Sequence, residues 1–265
     1  MIKKPLRILV AEDNQMNLEL VCYMLEQMNF DYCVAEDGAG AVDIFKKDHI
    51  SLILMDCHMA GMDGFQATQE IRRIESEVSD GRHVPIVALT AKAIMGDKKK
   101  CLEIGMDDYL SKPFKFDQLK GLLNKWLALE NLSTALPGQD EIASDAAENN
   151  QSPDVDFQSV EAVIKDPEII KKLMRLYIEQ TRLYIDDICS AADNNDRKKL
   201  KFAAHALKSS SATLGIKKVA QTCQEIEFWQ PEKGMLSIPL LVSRLTEEFA
   251  AAVPVLQDYV KRLGE

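Results

Sequence analysis

No stretch of this 265-residue chain approaches the roughly eighteen consecutive apolar residues needed to cross a bilayer. The opening MIKKPLRILVAED holds an apolar run too short for a signal peptide, and it ends in acids. These absences lead to the expectation of a cytoplasmic protein with neither a membrane span nor a secretory leader. Cysteine patterning is also lacking. The six cysteines, at positions 22, 33, 57, 101, 189 and 223, form no CxxC pair and no metal-ligand spacing, so they are expected to be buried thiols in a reducing compartment. Cys57, next to Asp56, is the one a redox role would choose, but a small residue in a tight loop is the plainer expectation. No Gly-rich ATP loop of the Walker or protein-kinase type is present. Positive charge is short as well. The net charge of −10 argues against a nucleic-acid surface, which needs clustered Lys and Arg. The one dense basic run, Lys98 to Lys100, follows Asp97 on a predicted helix and reads as a solvated face.

What is present is ordinary globular composition, 46% apolar and 28% charged, in a length that allows one or two domains. The acidic excess is uneven. Residues 1–130 carry 16 basic and 21 acidic side chains, 131–153 none and four, and 154–265 16 and 17. Over residues 1–130, strand and helix patterns alternate five times, which predicts a parallel sheet with helices on both faces. LILMDCHMAGMDG, residues 52–64, is a short apolar run that stops at Asp56. It reads as a buried strand with the carboxylate at its carboxyl end, where open α/β sheets hold ligands. LRILVAEDN, residues 6–14, is a second such strand and ends in Glu12 and Asp13. If the two are neighbours, three carboxylates crowd one edge, and a hard divalent cation, Mg²⁺, is the natural partner. VPIVALTA (84–91) ends near Thr90, and DDYLSKPF (107–114) near Lys112 and Pro113. A hydroxyl, an ammonium and a metal around one carboxylate make a cradle for a phosphoryl group.

Glu12 and Asp13, Asp56, Thr90, and Lys112 with Pro113, in this order across about 125 residues, resemble the receiver domain of two-component response regulators. The resemblance implies a flavodoxin-like five-stranded sheet and Asp56 as phosphoacceptor. It also implies Mg²⁺ held by Glu12, Asp13, Asp56 and the main-chain carbonyl of His58. Thr90 and Lys112 would bind the phosphoryl oxygens, and Tyr109 takes the position of the switch aromatic. One departure is Ala60, where the family usually has proline, which leaves the loop beside Asp56 less rigid.

Residues 131–153 are polar, acidic and small, with Pro137, Gly138 and Pro153, and read as a linker spanning roughly 25 to 30 Å as a flexible coil. That length lets two domains meet without obliging them to. From Asp154 to Glu265 the pattern is helical. Asp166 and Pro167 start a helix carrying Ile170, Leu173, Tyr177, Tyr184 and Ile188. A second runs from near Asp196 to Gly215, a third carries Val219, Cys223 and Ile226, and a last one continues from Leu241 to Val260 with Pro254 expected to bend it. Four amphipathic helices with short joints predict an antiparallel bundle.

On a helical wheel His205 lies about 140° from Leu200, so it is expected to face water or the flank of the apolar stripe, with Lys208 beside it. HALKSSSATLG, residues 205–215, closely resembles the signature of histidine-containing phosphotransfer (HPt) domains. The resemblance implies that His205 accepts and donates phosphoryl with Lys208 assisting, and that Gln224 or Glu227 on the next helix orients the imidazole. Ser209 stands where the family commonly has glycine, a change that bears on partner choice or transfer rate.

The two resemblances together imply a non-enzymatic intermediate of a multistep His–Asp phosphorelay. A sensor or hybrid histidine kinase would feed Asp56, and His205 would exchange with a receiver aspartate. Without an ATP domain the chain is not expected to make its own phosphohistidine. Met1 favours a whole chain over a piece of a hybrid kinase. Two rivals are weighed beside this reading: a phosphorylation-switched interaction module with His205 idle, and a metal-dependent phosphatase with an aspartyl-phosphate intermediate.

Overall fold

The computed structural model describes residues 6–78, 83–90, 95–127, 155–230 and 237–263. The expected linker at 131–153 lies outside the described residues.

The first half is a parallel sheet of β1 (Arg7–Ala11), β2 (Asp31–Ala35), β3 (Leu52–Asp56), β4 (Ile86–Thr90) and β5 (Asp108–Ser111) in the order β2-β1-β3-β4-β5. Between them run α1 (Gln15–Gln27), α2 (Gly38–Lys47), α3 (Gly64–Glu77) and α4 (Met95–Ile104), with α5 (Phe116–Leu127) after β5. The period of two along each strand divides the core. Ile8, Val10, Leu52, Leu54, Val87 and Leu89 point to the α1 and α5 side. Leu9, Ala11, Ile53, Met55, Ile86 and Ala88 point to the α2 and α3 side. Because β3 and β4 are buried on both faces, they read as unbroken apolar runs. The strand order reverses between β1 and β3, and a crevice forms at that switch point, beyond the carboxyl ends of the strands.

Two caps fix this edge. Asn14 starts α1 by accepting from the Asn17 N–H at 3.0 Å, and Asp63 and Gln66 form a reciprocal capping box at the start of α3. Gly64 is required where it stands, since a Cβ there would come within 2.0 Å of the Asp56 carbonyl oxygen.

The second half contains α6 (Phe157–Val163), α7 (Pro167–Asp193), α8 (Arg197–Thr213), α9 (Lys217–Glu227) and α10 (Ile238–Arg262). The last four form the expected bundle, with α7 packed on α8 and α10 and α9 on the same two helices. α10 is a single helix through Pro254. α6 is an addition to the four expected helices. At seven residues it is too short to show a periodic stripe, and it is held by tertiary contacts: Phe157 stacks on Tyr259 at 3.7 Å, and the Tyr259 hydroxyl donates to Glu161 at 2.6 Å. Gly215 closes α8 at φ +68°, and the Asp156 N–H donates to its carbonyl at 2.9 Å.

The two halves pack together. α1 contacts α7 and α8, and the apolar core on the α1 side of the sheet is continuous with that of the bundle. Among the described residues, no helix is long and apolar enough to cross a membrane.

Candidate functional site

Asp56 ends β3 and is only 5% exposed. One of its oxygens accepts from Lys112 Nζ at 2.6 Å, and the other from the His58 N–H at 3.1 Å. The same ammonium pairs with Glu12, which is fully buried at the end of β1. Asp13 accepts from the Ala60 N–H at 2.9 Å. Oxygens of Glu12, Asp13 and Asp56 lie within 4.8 Å of one another. Burial would raise the Asp56 pKa, but the charge and hydrogen bond of Lys112, with the His58 N–H, hold it below the ordinary value. Burial together with the negative charge of Asp56 has the opposite effect on its neighbours. Glu12 is raised well above the carboxylate range and Asp13 to about 6. Lys112, whose burial favours the neutral amine, is held charged by Asp56 and Glu12. The pocket therefore carries more negative charge than one lysine balances. An all-oxygen donor set of this kind fits Mg²⁺.

Thr90 is buried at the end of β4, one strand over from Asp56. Tyr109 lies on β5 opposite Ala88, half-buried against the core on the α2 and α3 side. Of the residues expected from the sequence, the structure joins Glu12, Asp13, Asp56 and Lys112 directly, and places Thr90 at the same sheet edge with Tyr109 two residues back along β5. His58 contributes its N–H to Asp56, and its ring does more: it meets the His205 ring edge-on at a centroid distance of 4.7 Å.

His205 therefore does not face water. It is on the flank of the α8 stripe, as the wheel allows, but its side chain is 15% exposed because the α/β half covers it. The wheel accounts only for the bundle, not for a second domain. His205 Nδ1 lies 3.0 Å from Glu227 Oε1, and Lys208 pairs with the other oxygen of that carboxylate. Of the two residues considered for orienting the imidazole, Glu227 makes the contact. Gln224 instead lines a cleft of about 600 Å³ between the halves, with Lys112, Lys208 and Ser209. Burial would push Glu227 up, but the hydrogen bonds from His205 and Lys208 bring it down to about 2.

Sequence reading missed the contacts between the halves. Asn17 Nδ2 donates to Glu12 Oε1 at 3.0 Å and to Ser209 Oγ at 3.2 Å. Asn14 Nδ2 donates to the Tyr184 hydroxyl at 3.2 Å, so Tyr184, packed on the core as expected for the apolar stripe of α7, also presents its hydroxyl to the α/β half. Lys172 and Glu19 form an ion pair at 2.6 Å, and Gln180 donates to Gln15 at 3.2 Å. Only Ser209 carried a signal, as a departure from glycine. No sequence feature singled out Asn14 or Asn17. Cys57 behaves as expected, buried with its sulfur 3.9 Å from that of Cys101, and all six thiols are free, three of them only half-buried. In the Lys98–Lys100 run, Lys99 and Lys100 are exposed; the side chain of Lys98 lies outside the described residues.

An α/β module with an aspartate pocket at its switch point, facing a helical bundle that offers a histidine, defines a class of two-domain phosphotransfer signalling proteins. Within that class, the chain carries a response regulator receiver domain, matched over residues 8–124, followed by an Hpt domain, matched over residues 172–263. It is similar to the sensor protein GacS of Pseudomonas syringae pv. syringae, 45% identical over 127 residues, which is 47% of this chain and 14% of that protein. It is also similar to the hybrid signal transduction protein dokA of Dictyostelium discoideum, 42% identical over 120 residues, 45% of this chain and 7% of that protein. The chain thus spans a small part of the length of these curated relatives. Among solved structures, the receiver domain of the sensor histidine kinase PA1611 of Pseudomonas aeruginosa, with magnesium in its active-site cleft, is 40% identical. It covers 47% of this chain and 99% of that one, with a TM-score of 0.43. A Saccharomyces cerevisiae histidine phosphotransfer protein in complex with the receiver domain of its downstream regulator gives 31% identity, 50% and 95% coverage, and a TM-score of 0.45.

Proposed function

We propose that this chain is an intermediate of a His–Asp phosphorelay, accepting phosphoryl on Asp56 and exchanging it through His205 with a receiver aspartate. The observation that carries the reading is the juxtaposition of the two acceptors: the ring of His205 packs on that of His58, two residues beyond Asp56. The ionised Asp56 carboxylate attacks the phosphorus of a phosphohistidine on a sensor or hybrid histidine kinase. The N–P bond breaks, an O–P bond forms, and the electron pair stays on the donor imidazole. Lys112 and Thr90 bind the phosphoryl oxygens. Glu12, Asp13, Asp56 and the main-chain carbonyl of His58 would hold Mg²⁺, which when bound offsets the charge of the phosphoryl oxygens. Tyr109 reports the phosphorylated state at the β5 surface. On the other half, Glu227 orients His205 and Lys208 offsets phosphoryl charge. The chain promotes these transfers without an ATP-dependent kinase activity of its own. Six free thiols support a reducing, cytoplasmic location.

The test is phosphotransfer from a labelled phosphohistidine kinase with Mg²⁺ to wild type, Asp56→Asn and His205→Gln. The relay requires base-labile label that disappears in Asp56→Asn and acid-labile, base-stable label that disappears in His205→Gln. Label on Asp56 alone, with His205 inert towards every receiver offered, leaves only a phosphorylation-switched interaction module.

A further inference from the structure

We propose that the Asn17–Ser209 hydrogen bond is a specificity contact that makes this chain's own receiver the partner of its own Hpt domain, so that phosphoryl passes between Asp56 and His205 within one molecule. The inference rests on the relay reading above and adds the identity of the receiver.

Asn17 has two amide hydrogens, and the site uses both, one on Glu12 and one on Ser209. Both Asn17 and Ser209 are buried, so neither group is compensated by bulk water if the other is lost. Ser209 is one helical turn beyond His205 on the same face of α8, so the residue that recognises the receiver is in register with the residue that reacts. On the receiver side, Asn17 links the carboxylate that flanks Asp56 directly to the bundle. A glycine or alanine at 209 offers no acceptor, and an apolar residue at 17 offers no donor. The rim uses the same chemistry: Asn14 to Tyr184 and Gln180 to Gln15 are neutral, directional bonds that a receiver with other side chains on its first helix would not reproduce.

The transfer balances within this arrangement. The Nε2 lone pair of His205 attacks the phosphorus on Asp56 and an N–P bond forms. The Asp56 O–P bond breaks, and its electron pair returns to the carboxylate. Nδ1 keeps its proton, and the positive charge left on the ring faces Glu227. No free proton and no co-reactant are needed, and the reverse step returns the phosphoryl group by the same path.

Full-length chains test this. Asp56 is loaded with a labelled small acyl phosphate and Mg²⁺, and the appearance of base-stable label on His205 is followed. The expected rate in wild type is first-order and unchanged over about a hundredfold range of chain concentration, because the partner's effective concentration is set by the linker. An equimolar mixture of Asp56→Asn and His205→Gln transfers more slowly and in proportion to concentration. Ser209→Ala, which keeps a good helix former at that position, and Asn17→Ala each slow the step by about 2- to 10-fold. The double variant is no slower than the slower single one, and Ser209→Ala loads Asp56 as wild type does. The proposal is overturned if the wild-type rate scales with concentration, if the mixture matches wild type, or if Ser209→Ala transfers unchanged. Transfer that occurs only between molecules overturns this proposal and leaves the relay standing. Label that never leaves Asp56 in any arm overturns this proposal, and the relay falls with it only if His205 is also inert towards every other receiver offered.

Discussion

Glu227 is the residue on which the Hpt half of the site depends. Its side chain is 5% exposed, and it serves two cationic or donor groups at once, His205 and Lys208. Its pKa, near 4.5 in an unstructured chain, is drawn down to about 2. A depressed acid contributes stability that is complete above the unfolded value and is lost as pH falls through the folded one. Wild type is therefore expected to lose about 3 kcal/mol of unfolding free energy from this group between pH 4.5 and pH 2. Denaturant titrations across that window check it. Glu227→Gln, which has no carboxyl to protonate, should show a loss smaller by that amount, and equal losses would refute the assignment. Lys112 plays the matching part on the receiver side, where one ammonium serves two buried carboxylates. Lys112→Met leaves both without their cation and is expected to cost about 3–5 kcal/mol in metal-free buffer. Excess Mg²⁺ should restore part of that loss by supplying the missing positive charge. Thermal melts of the variant with EDTA and with Mg²⁺ read this directly, and a melt indifferent to Mg²⁺ would count against the acidic cluster as a cation site.

At the scale of single elements, the tight approaches are at glycines. Gly215 combines a left-handed backbone with a neighbour at 2.6 Å from where a Cβ would stand, the carbonyl oxygen of Asp156. Gly215→Ala should therefore destabilise the bundle by about 1–2 kcal/mol or more, through left-handed strain with a clash added. The variant should also release the bridge between Val155 and Ile216, which ties the start of the described Hpt half to the α8–α9 turn. Faster amide exchange at Asp156, whose N–H donates to the Gly215 carbonyl, is the local readout; protection equal to wild type would show that the turn tolerates a side chain. The same elements show what a sequence can and cannot disclose. β1 and β3 were legible because an unbroken apolar run that ends in carboxylates has few other readings, and the receiver pocket at residues 12, 13, 56 and 112 followed from strand ends alone. α7, α8, α9 and α10 were legible from their apolar stripes. α6 was not, because its place depends on a stacked ring and a hydroxyl supplied by α10, about a hundred residues away. Tyr184 packs on the core as its helical spacing predicts, but the partner of its hydroxyl was not legible, because a second domain supplies it.

At the scale of the whole molecule, the interface between the halves was the part that sequence did not disclose, and its composition explains why. Among the described residues it is made of amides, hydroxyls, the His58–His205 ring contact and one ion pair, placed over a core that runs continuously from the sheet through α1 into the bundle. Each of these polar residues has an adequate local reading as a cap or a solvated face, and only the docked geometry distinguishes them. That composition also sets how the docked state responds to salt. The one ion pair between the halves among the described residues, Lys172 with Glu19, has a side chain 56% exposed on one side and 33% on the other, so it contributes little and is screened. The apolar contacts and the Asn17–Ser209 and Asn14–Tyr184 bonds are neutral, and salt does not weaken them in the same way. The docked chain is therefore expected to keep one radius of gyration, near the roughly 18 Å of a compact body of its length, from low salt to about 1 M, where the screening length falls to about 3 Å. Small-angle scattering across that series is the measurement. A radius that grows steadily with salt would mean that charge, through Lys172 and Glu19, holds the halves together and that the neutral contacts at Asn14 and Asn17 do not. A constant radius that increases in Asn17→Ala would place the docking energy in the buried contacts beside the reacting groups.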